Sequence, residues 1–216
     1  MFTILPIKGY IDQIDGFFCD GIHAGLKPNG NNDLGFIYTK EACTVAAIFT
    51  ENRFQAAPLK HFLSYEEGFK TNFVLINSKN ANALTGRKGI EDINTLFSKL
   101  NFDLINPVMS STGVIGNRLP IEKLVTGALK FDLTAKSGEN LSRAIMTTDA
   151  YAKTCMYEVK LEDGSSFKIG AVAKGAGMIN PNLATMLCFI CTDADVPYKD
   201  IKEALNKNKE TTFNAI

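Results

Sequence analysis

The sequence predicts a layered, mixed α/β domain, because short apolar runs typical of buried strands alternate with segments of helical periodicity. Its length of 216 residues suits one good-sized domain or two small ones. Late in the chain, an Asp-Gly pair between two alternating runs adds a β-hairpin. No repeat, low-complexity tract or linker interrupts the pattern, which leaves the topology open.

Strands are predicted where short runs are apolar and rich in β-branched residues. The hairpin is the clearest of them, since Glu162-Asp163-Gly164-Ser165 separates its two runs. The predicted strands are 43–49, 72–76, 107–110, 155–161, 167–173 and 185–191.

Helices are predicted where apolar residues recur three and four positions apart. One of the clearest begins near Pro120, and proline is well tolerated in a first helical turn. The predicted helices are 59–69, 89–100, 119–129, 141–146 and 198–206.

The composition argues against several classes of function. Lysine plus arginine equals aspartate plus glutamate, 23 of each, which predicts no nucleic-acid or anionic-membrane partner. No apolar stretch approaches the roughly 20 residues that span a bilayer, and the N-terminus lacks a secretory pattern. Five scattered cysteines fit reduced thiols, with Cys188 and Cys191 in a buried strand. The two histidines lack ligand-like spacing, so we expect a cytoplasmic protein without a metal site.

Thr185 is the most informative residue for function. It follows Lys174-Gly175-Ala176-Gly177 and a proline turn, and an apolar run comes directly after it. If the chain is cut between Ala184 and Thr185, the threonine gains a free α-amine beside its hydroxyl. An α-amine with a pKa of about 8 can take the hydroxyl proton near neutral pH. On spacing alone, the sequence favours a simpler interpretation, a β-branched residue that opens a buried strand.

Three other segments carry candidate site residues. Ser110-Ser111-Thr112-Gly113 could present a hydroxyl and a backbone N–H to one point, as an oxyanion hole requires, or could simply cap a turn. Lys174 could pair with a substrate carboxylate or lie exposed at a strand end. The hydroxyls of Thr147 and Thr148, which precede Asp149 at the end of a helical stretch, could bond the local backbone. The glycines after Lys174 are not a dinucleotide fingerprint, because Asn180 occupies its third glycine position.

Several segments in register resemble the ornithine acetyltransferase family, also called the bifunctional glutamate N-acetyltransferase family. The resemblance runs from about Gly16 to the last residue. The segments that carry it are Ala46-Ala47-Ile48-Phe49-Thr50-Glu51-Asn52, Ala56-Ala57-Pro58, Asn80-Ala81-Asn82-Ala83, Thr85-Gly86, Ser110-Ser111-Thr112-Gly113-Val114-Ile115-Gly116, Ile145-Met146-Thr147-Thr148-Asp149, Lys174-Gly175-Ala176-Gly177-Met178, Ala184-Thr185-Met186-Leu187 and Thr192-Asp193-Ala194. The resemblance implies a layered α/β architecture.

The resemblance also implies a self-processing acetyltransferase of arginine biosynthesis. Cleavage between Ala184 and Thr185 would leave residues 1–184 as an α segment and residues 185–216 as the start of a β segment, the remainder of which is absent from this chain. The freed Thr185 would move an acetyl group from N2-acetyl-ornithine to glutamate through an acyl-enzyme. Thr112 and Gly113 would be the oxyanion donors. The substrate contacts implied are Thr148, with Thr147 as the alternative register, together with Lys174 and Thr185.

The implied enzyme needs no cofactor, and the sequence leaves open whether acetyl-CoA is a second donor. A heterotetramer of two α and two β chains is the expected assembly. Two alternatives remain at this point: a self-processing N-terminal-nucleophile hydrolase or aminopeptidase, and an inactive truncated precursor fragment. Two departures from the family pattern are visible. Lys79 stands where glycine is expected, and Asp149-Ala150-Tyr151-Ala152-Lys153 lacks the expected threonine and proline.

Overall fold

Two four-stranded sheets organise the part of the chain that the computed structural model describes, residues 2–176 and 186–215. The strands are β1 (Phe2–Pro6), β2 (Phe17–Ile22), β3 (Leu34–Thr44), β4 (Lys70–Asn77), β5 (Val108–Ser111), β6 (Lys153–Leu161), β7 (Ser166–Lys174) and β8 (Leu187–Thr192). The helices are α1 (Ala57–Phe62), α2 (Gly86–Ser98), α3 (Ile121–Ala128), α4 (Gly138–Ala144) and α5 (Tyr198–Asn208), with a short 3-10 turn at Ile11–Gln13. None of these helices is long and apolar enough to cross a membrane.

The first sheet has the strand order β1-β6-β7-β8, with neighbouring strands antiparallel. Because successive side chains alternate between faces, Met156, Val172 and Cys191 point into the protein and are buried. The opposite face is apolar and open, and we refer to it as the outer face. Its exposed side chains are Phe2, Ile4, Cys155, Tyr157, Leu161 and Ile190.

The second sheet has the strand order β2-β3-β4-β5, and its last two strands are parallel. Helix α2 lies on the connection between β4 and β5, as a parallel pair requires. The register places Asn77 opposite Ser111, so the carboxyl ends of β4 and β5 lie side by side. Polar loops that leave these two ends are therefore brought together.

The second sheet has a core on each face. One cluster includes Phe36 and Phe73 of the strands and Leu96 and Leu124 of the helices α2 and α3. The other joins the two sheets, with the side chains Cys19, Ile37, Ile76, Leu141, Ile145, Met156, Val172 and Cys191 among its members. Each buried aliphatic or aromatic side chain contributes about 1.5–3 kcal/mol, so the contact between the sheets is a substantial part of the stability.

The layered, mixed α/β fold class and most of the elements are confirmed, including the hairpin of β6 and β7. The predicted strand 43–49 is wrong, because β3 ends at Thr44 and residues 45–50 have no regular structure. The predicted helix 59–69 is longer than α1, which ends at Phe62 and is followed by turns. Strands β1 and β2 were not predicted. The predicted strand 185–191 corresponds to β8, and Thr185 itself lies outside the described residues.

Candidate functional site

A ladder of buried asparagines fixes the loop that follows β4. The Asn77 side-chain amide donates to the carbonyl of Asn80 at 2.9 Å, and the Asn80 amide donates to the carbonyl of Arg118 at 3.0 Å. The Asn80 side-chain oxygen accepts the backbone N–H of Asn82 at 2.8 Å. These buried hydrogen bonds hold Lys79 at a φ of +81°, a left-handed conformation that favours glycine.

The turn after β5 is attached to this loop. The Ser111 hydroxyl donates to the Asn77 side-chain oxygen at 2.6 Å, and the Thr112 N–H donates to the Asn77 carbonyl at 3.0 Å. Gly113 follows with a φ of +133°, and a Cβ placed on it would lie 2.2 Å from the carbonyl carbon of Lys79. Only glycine permits this close approach of two backbones.

Lys174 reaches this turn from the other sheet. It is the last residue of β7 and is only 5% exposed, and its ammonium donates to the Thr112 hydroxyl oxygen at 3.3 Å. An ammonium can only donate, so the hydroxyl oxygen is the acceptor and its proton can point at a third group. Among the described residues, the Gly113 N–H has no hydrogen-bond acceptor. Two donors, a hydroxyl and a backbone N–H, are thus available on consecutive residues.

The charge of Lys174 is influenced by its burial and by Asp149. Burial lowers the pKa of Lys174 below that of a free lysine, while the Asp149 carboxylate opposes that shift. The alternative of a lysine exposed at a strand end is therefore excluded, because Lys174 is buried at the covered end of β7. A buried cation next to a threonine hydroxyl favours negative charge at this point.

Asp149 organises the site, although the sequence did not indicate this role. Its side chain is 1% exposed, and one oxygen accepts both the Lys153 ammonium and the Gly175 N–H at 2.8 Å. The other oxygen accepts the Thr147 N–H at 3.1 Å. Asp149 thereby ties the segment after α4 to the end of β7. The only signal in the sequence was its place directly after two threonines.

Thr147 and Thr148 lie at the surface beside Asp149. The backbone of Thr147 is occupied by the hydrogen bond to the Asp149 carboxylate, which fixes the turn that carries both threonines. Thr148 as a substrate contact stays a prediction. Ala184, Thr185 and the residues from Gly177 onward to them lie outside the described residues. The described chain resumes beside Lys174, since Leu187 pairs with Lys174 and Met186 lies next to Gly175.

The lowered pKa of the Asp149 carboxyl predicts how the stability of the fold depends on pH. Burial raises the pKa of this carboxyl, but the hydrogen bonds from Lys153, Gly175 and Thr147 outweigh burial and leave it lowered. A lowered folded-state pKa means that the carboxylate stabilises the fold above its unfolded pKa, near 3.8. That stability is lost as the pH falls through the folded pKa.

We therefore expect Asp149→Asn to destabilise the protein by about 1–3 kcal/mol at neutral pH, because an amide cannot replace all three bonds. Urea unfolding at several pH values measures this. The difference between the parent and the variant should shrink as the pH falls below 3.8. Asp163→Asn is a matched control in an exposed turn and should have little effect at neutral pH. An Asp149 variant as stable as the parent at pH 7 would contradict the anchoring role.

Comparison with known proteins identifies the family of this chain. A profile of the ArgJ family matches residues 18–216. The chain is 54% identical over 219 residues to the arginine biosynthesis bifunctional protein ArgJ of Wolinella succinogenes, with 100% of this chain and 55% of the relative covered. It is 37% identical over 218 residues to the ArgJ protein of Bacillus subtilis, with 99% of this chain and 53% of the relative covered. The chain thus spans about half the length of these curated relatives.

Two solved structures share the fold. An arginine biosynthesis bifunctional protein ArgJ from Bacillus halodurans superposes with a TM-score of 0.78 at 34% identity, covering 86% of this chain and 99% of that one. An ornithine acetyltransferase from Mycobacterium tuberculosis, solved as a complex with ornithine, superposes with a TM-score of 0.65 at 28% identity. The match covers 82% of this chain and 97% of that one. The sequence segments, the fold and the relatives agree, and the chain belongs to the ArgJ family.

Proposed function

We propose that this chain is part of a self-processing acetyltransferase of arginine biosynthesis, which moves an acetyl group from N2-acetyl-ornithine to glutamate. The observation that carries the proposal is the contact between the Lys174 ammonium and the Thr112 hydroxyl, beside the Gly113 N–H, which has no acceptor among the described residues. The names of the relatives support the pathway, and the ornithine bound to the Mycobacterium tuberculosis protein supports the substrate class.

Acyl transfer needs donors that are in place before negative charge develops on the acyl oxygen. In the proposed mechanism, the Thr112 hydroxyl and the Gly113 N–H are these donors. Lys174 donates to the hydroxyl oxygen, and this polarises the O–H bond and makes it a stronger donor. The hydrogen bonds of Asn77 and the packing of Gly113 against Lys79 fix the donors.

The proposed nucleophile is Thr185. In the precursor, its hydroxyl attacks the carbonyl carbon of Ala184, the peptide C–N bond breaks, and an ester forms while the α-amine is released. Water then hydrolyses that ester, which leaves a carboxylate on Ala184 and a free hydroxyl on Thr185. The described neighbour of Thr185, Met186, lies beside Gly175 at the end of β7, which supports this assignment.

In acetyl transfer, the Thr185 oxygen attacks the acetyl carbon of N2-acetyl-ornithine. The bond to N2 breaks, and ornithine leaves after N2 takes a proton from the α-amine of Thr185. The amine of glutamate then attacks the acetyl-threonine ester, which gives N-acetyl-glutamate and restores the hydroxyl. We propose Thr148 and Lys174 as contacts to the amino-acid part of the substrates. Acetyl-CoA as a second donor is part of the same proposal, because the relatives are called bifunctional.

The proposal includes a second segment and a heterotetramer of two α and two β chains. The lengths of the relatives support two segments. This chain covers only 55% and 53% of the two curated relatives, whereas it covers 99% and 97% of the two solved chains. The solved chains are therefore much shorter than the curated relatives. The open apolar outer face supports a further layer there, because contiguous apolar patches on soluble proteins commonly mark an interface.

The test is the intact mass of the protein expressed with its second segment, before and after incubation with N2-acetyl-ornithine. Two fragments split between Ala184 and Thr185, with one acetyl group on the fragment that begins with Thr185, are the expected result. A single uncut mass without an adduct would refute the mechanism. Free acetate released without a need for glutamate would instead identify the alternative, a hydrolase.

Thr112→Ala should lower turnover by about 10²-fold or more while leaving the fold intact, because it removes one oxyanion donor. The steady-state rate of acetyl transfer measures this effect. Thr112→Ser is the matched control, since it keeps the hydroxyl, and it should retain most of the activity. Equal activity in the alanine and serine variants would exclude the hydroxyl as a donor.

A further inference from the structure

The backbone of Lys79 lies directly beside the proposed oxyanion donors. Its carbonyl accepts the Val114 N–H at 3.0 Å, and its carbonyl carbon packs against Gly113. Its side chain is exposed and forms no ion pair with any described residue. The left-handed φ of +81° is less favourable for lysine than for glycine, and the asparagine ladder prevents the loop from relaxing. The fold therefore holds an exposed lysine directly beside the proposed oxyanion donors.

Lys27 places a second cation near Lys79. Its ammonium donates to the carbonyl of Asn32 at 2.6 Å and to that of Arg143 at 3.4 Å. Burial lowers the pKa of Lys27, Asp33 and Asp149 oppose this, and Lys79 lowers it further. Geometry also brings the two segments together. Ser78, the residue before Lys79, donates its N–H to the Asp33 carbonyl at 2.9 Å and its hydroxyl to the Ala144 carbonyl at 2.7 Å, next to the Arg143 carbonyl that the Lys27 ammonium contacts.

The acidic groups nearby already have partners. Asp33 is fully buried and accepts the backbone N–H groups of Ala24, Leu26 and Lys27 at 2.6–2.7 Å. Asp149 accepts Lys153 and two backbone N–H groups. The ion-pair partners of these two carboxylates are His23 and Lys153, and neither Lys27 nor Lys79 forms an ion pair among the described residues. An incoming anion can therefore gain from both of these charges.

We infer that Lys79, together with Lys27, forms a cationic pair that selects the dicarboxylate acceptor of the acetyl group over the zwitterionic donor. This inference rests on the proposed function. At neutral pH, glutamate carries a net charge of −1, because it has two carboxylates and one ammonium, whereas N2-acetyl-ornithine has one carboxylate and one ammonium and is neutral. A positive field beside the proposed oxyanion donors therefore stabilises bound glutamate more than it stabilises bound N2-acetyl-ornithine.

The experiment compares Lys79→Gln and Lys79→Gly with Lys79→Arg in the protein expressed with its second segment. The two half-reactions are measured separately, as acetyl-enzyme formation from N2-acetyl-ornithine and as its discharge by glutamate. We expect the glutamine and glycine variants to raise the KM for glutamate by about three- to tenfold, and the KM for N2-acetyl-ornithine to change by less than about twofold. The arginine variant should behave like the parent.

Two controls separate charge from folding and from general surface effects. The melting temperature of Lys79→Gly should be no lower than that of the parent, because glycine accommodates the left-handed backbone. A higher KM for glutamate in this variant therefore cannot be caused by unfolding. Lys130→Gln removes an exposed cation elsewhere and should leave both KM values unchanged. The effect at Lys79 should shrink as salt is raised, since screening weakens exposed charges.

The possible failures are distinguishable. If the parent forms no acetyl-enzyme, the proposed function fails. If the acetyl-enzyme forms but the glutamine and glycine variants keep the parent KM for glutamate, the inference about Lys79 is wrong. Equal increases in the KM for both substrates would also overturn it, because they would indicate a contact with the carboxylate that both share.

Discussion

Replacing Thr185 with alanine is expected to abolish both cleavage of the chain and acetyl transfer. The proposed mechanism uses the same hydroxyl to attack the Ala184 carbonyl and, after cleavage, the acetyl group, and alanine offers no nucleophile for either step. Intact mass spectrometry measures cleavage, and the glutamate-dependent release of ornithine from N2-acetyl-ornithine measures transfer. The loss should be at least several orders of magnitude, because removing a covalent nucleophile removes the pathway and not one stabilising contact.

Thr185→Ser is the matched control, because serine keeps a hydroxyl beside the α-amine. It should still cleave and transfer acetyl groups, at altered rates. An alanine variant that is cleaved and fully active would rule out Thr185 as the nucleophile. An alanine variant that stays uncut and inactive, beside an active serine variant, would establish the double role of the residue.

Gly113→Ala is expected to have the second largest effect, on both stability and turnover. The added Cβ would lie 2.2 Å from the Lys79 carbonyl carbon and 2.6 Å from the Asn80 nitrogen, and these backbone atoms are held by the asparagine ladder. Either the loop or the turn must move, at a cost of about 3 kcal/mol or more in folding free energy. Movement of the turn would displace both proposed oxyanion donors, so turnover should fall by at least about 10²-fold.

Gly116→Ala separates steric collision from backbone strain. Gly116 also has a left-handed φ, +89°, but nothing lies within 4 Å of the position that its Cβ would take. Its substitution should cost only about 1–2 kcal/mol, the penalty for a left-handed alanine. Urea unfolding and acetyl transfer should be measured on both variants. Equal losses at the two positions would show that the close approach of Gly113 to Lys79 is not essential.

Local sequence patterns were sufficient where a single element determines its own structure. The Asp-Gly turn between alternating strands predicted the hairpin of β6 and β7, and helical spacing predicted α2. The segment that became β3 was misjudged because the run 43–49 looks more strand-like than Leu34–Thr44. Glycine, lysine and glutamate interrupt the actual strand, and its neighbours β2 and β4 stabilise it.

In the candidate site, too, local segments were predicted from the sequence and contacts between distant segments were not. The turn at Thr112 and Gly113 and the lysine at position 174 were predicted because compact segments of sequence resemble a family. The structure then brought Lys174 and Thr112 together across 62 positions in the chain. Asp149 and Lys79 were not predicted as site residues. Asp149 bonds to Gly175, and the charge of Lys79 acts on Lys27, so each interaction links segments that are far apart in sequence. The periodicity of a single segment cannot predict such contacts.

The pairing of β1 with β6 has a consequence for when the proposed cleavage could occur. Phe2 lies opposite Leu161, so this edge of the sheet closes a loop of about 160 residues, and we expect it to form late during folding. Lys174 and Thr112 also come from different sheets and meet only after the sheets have docked. If cleavage depends on that contact, it cannot begin on a nascent or half-folded chain. The time at which the cleaved chain appears would then show when folding is complete.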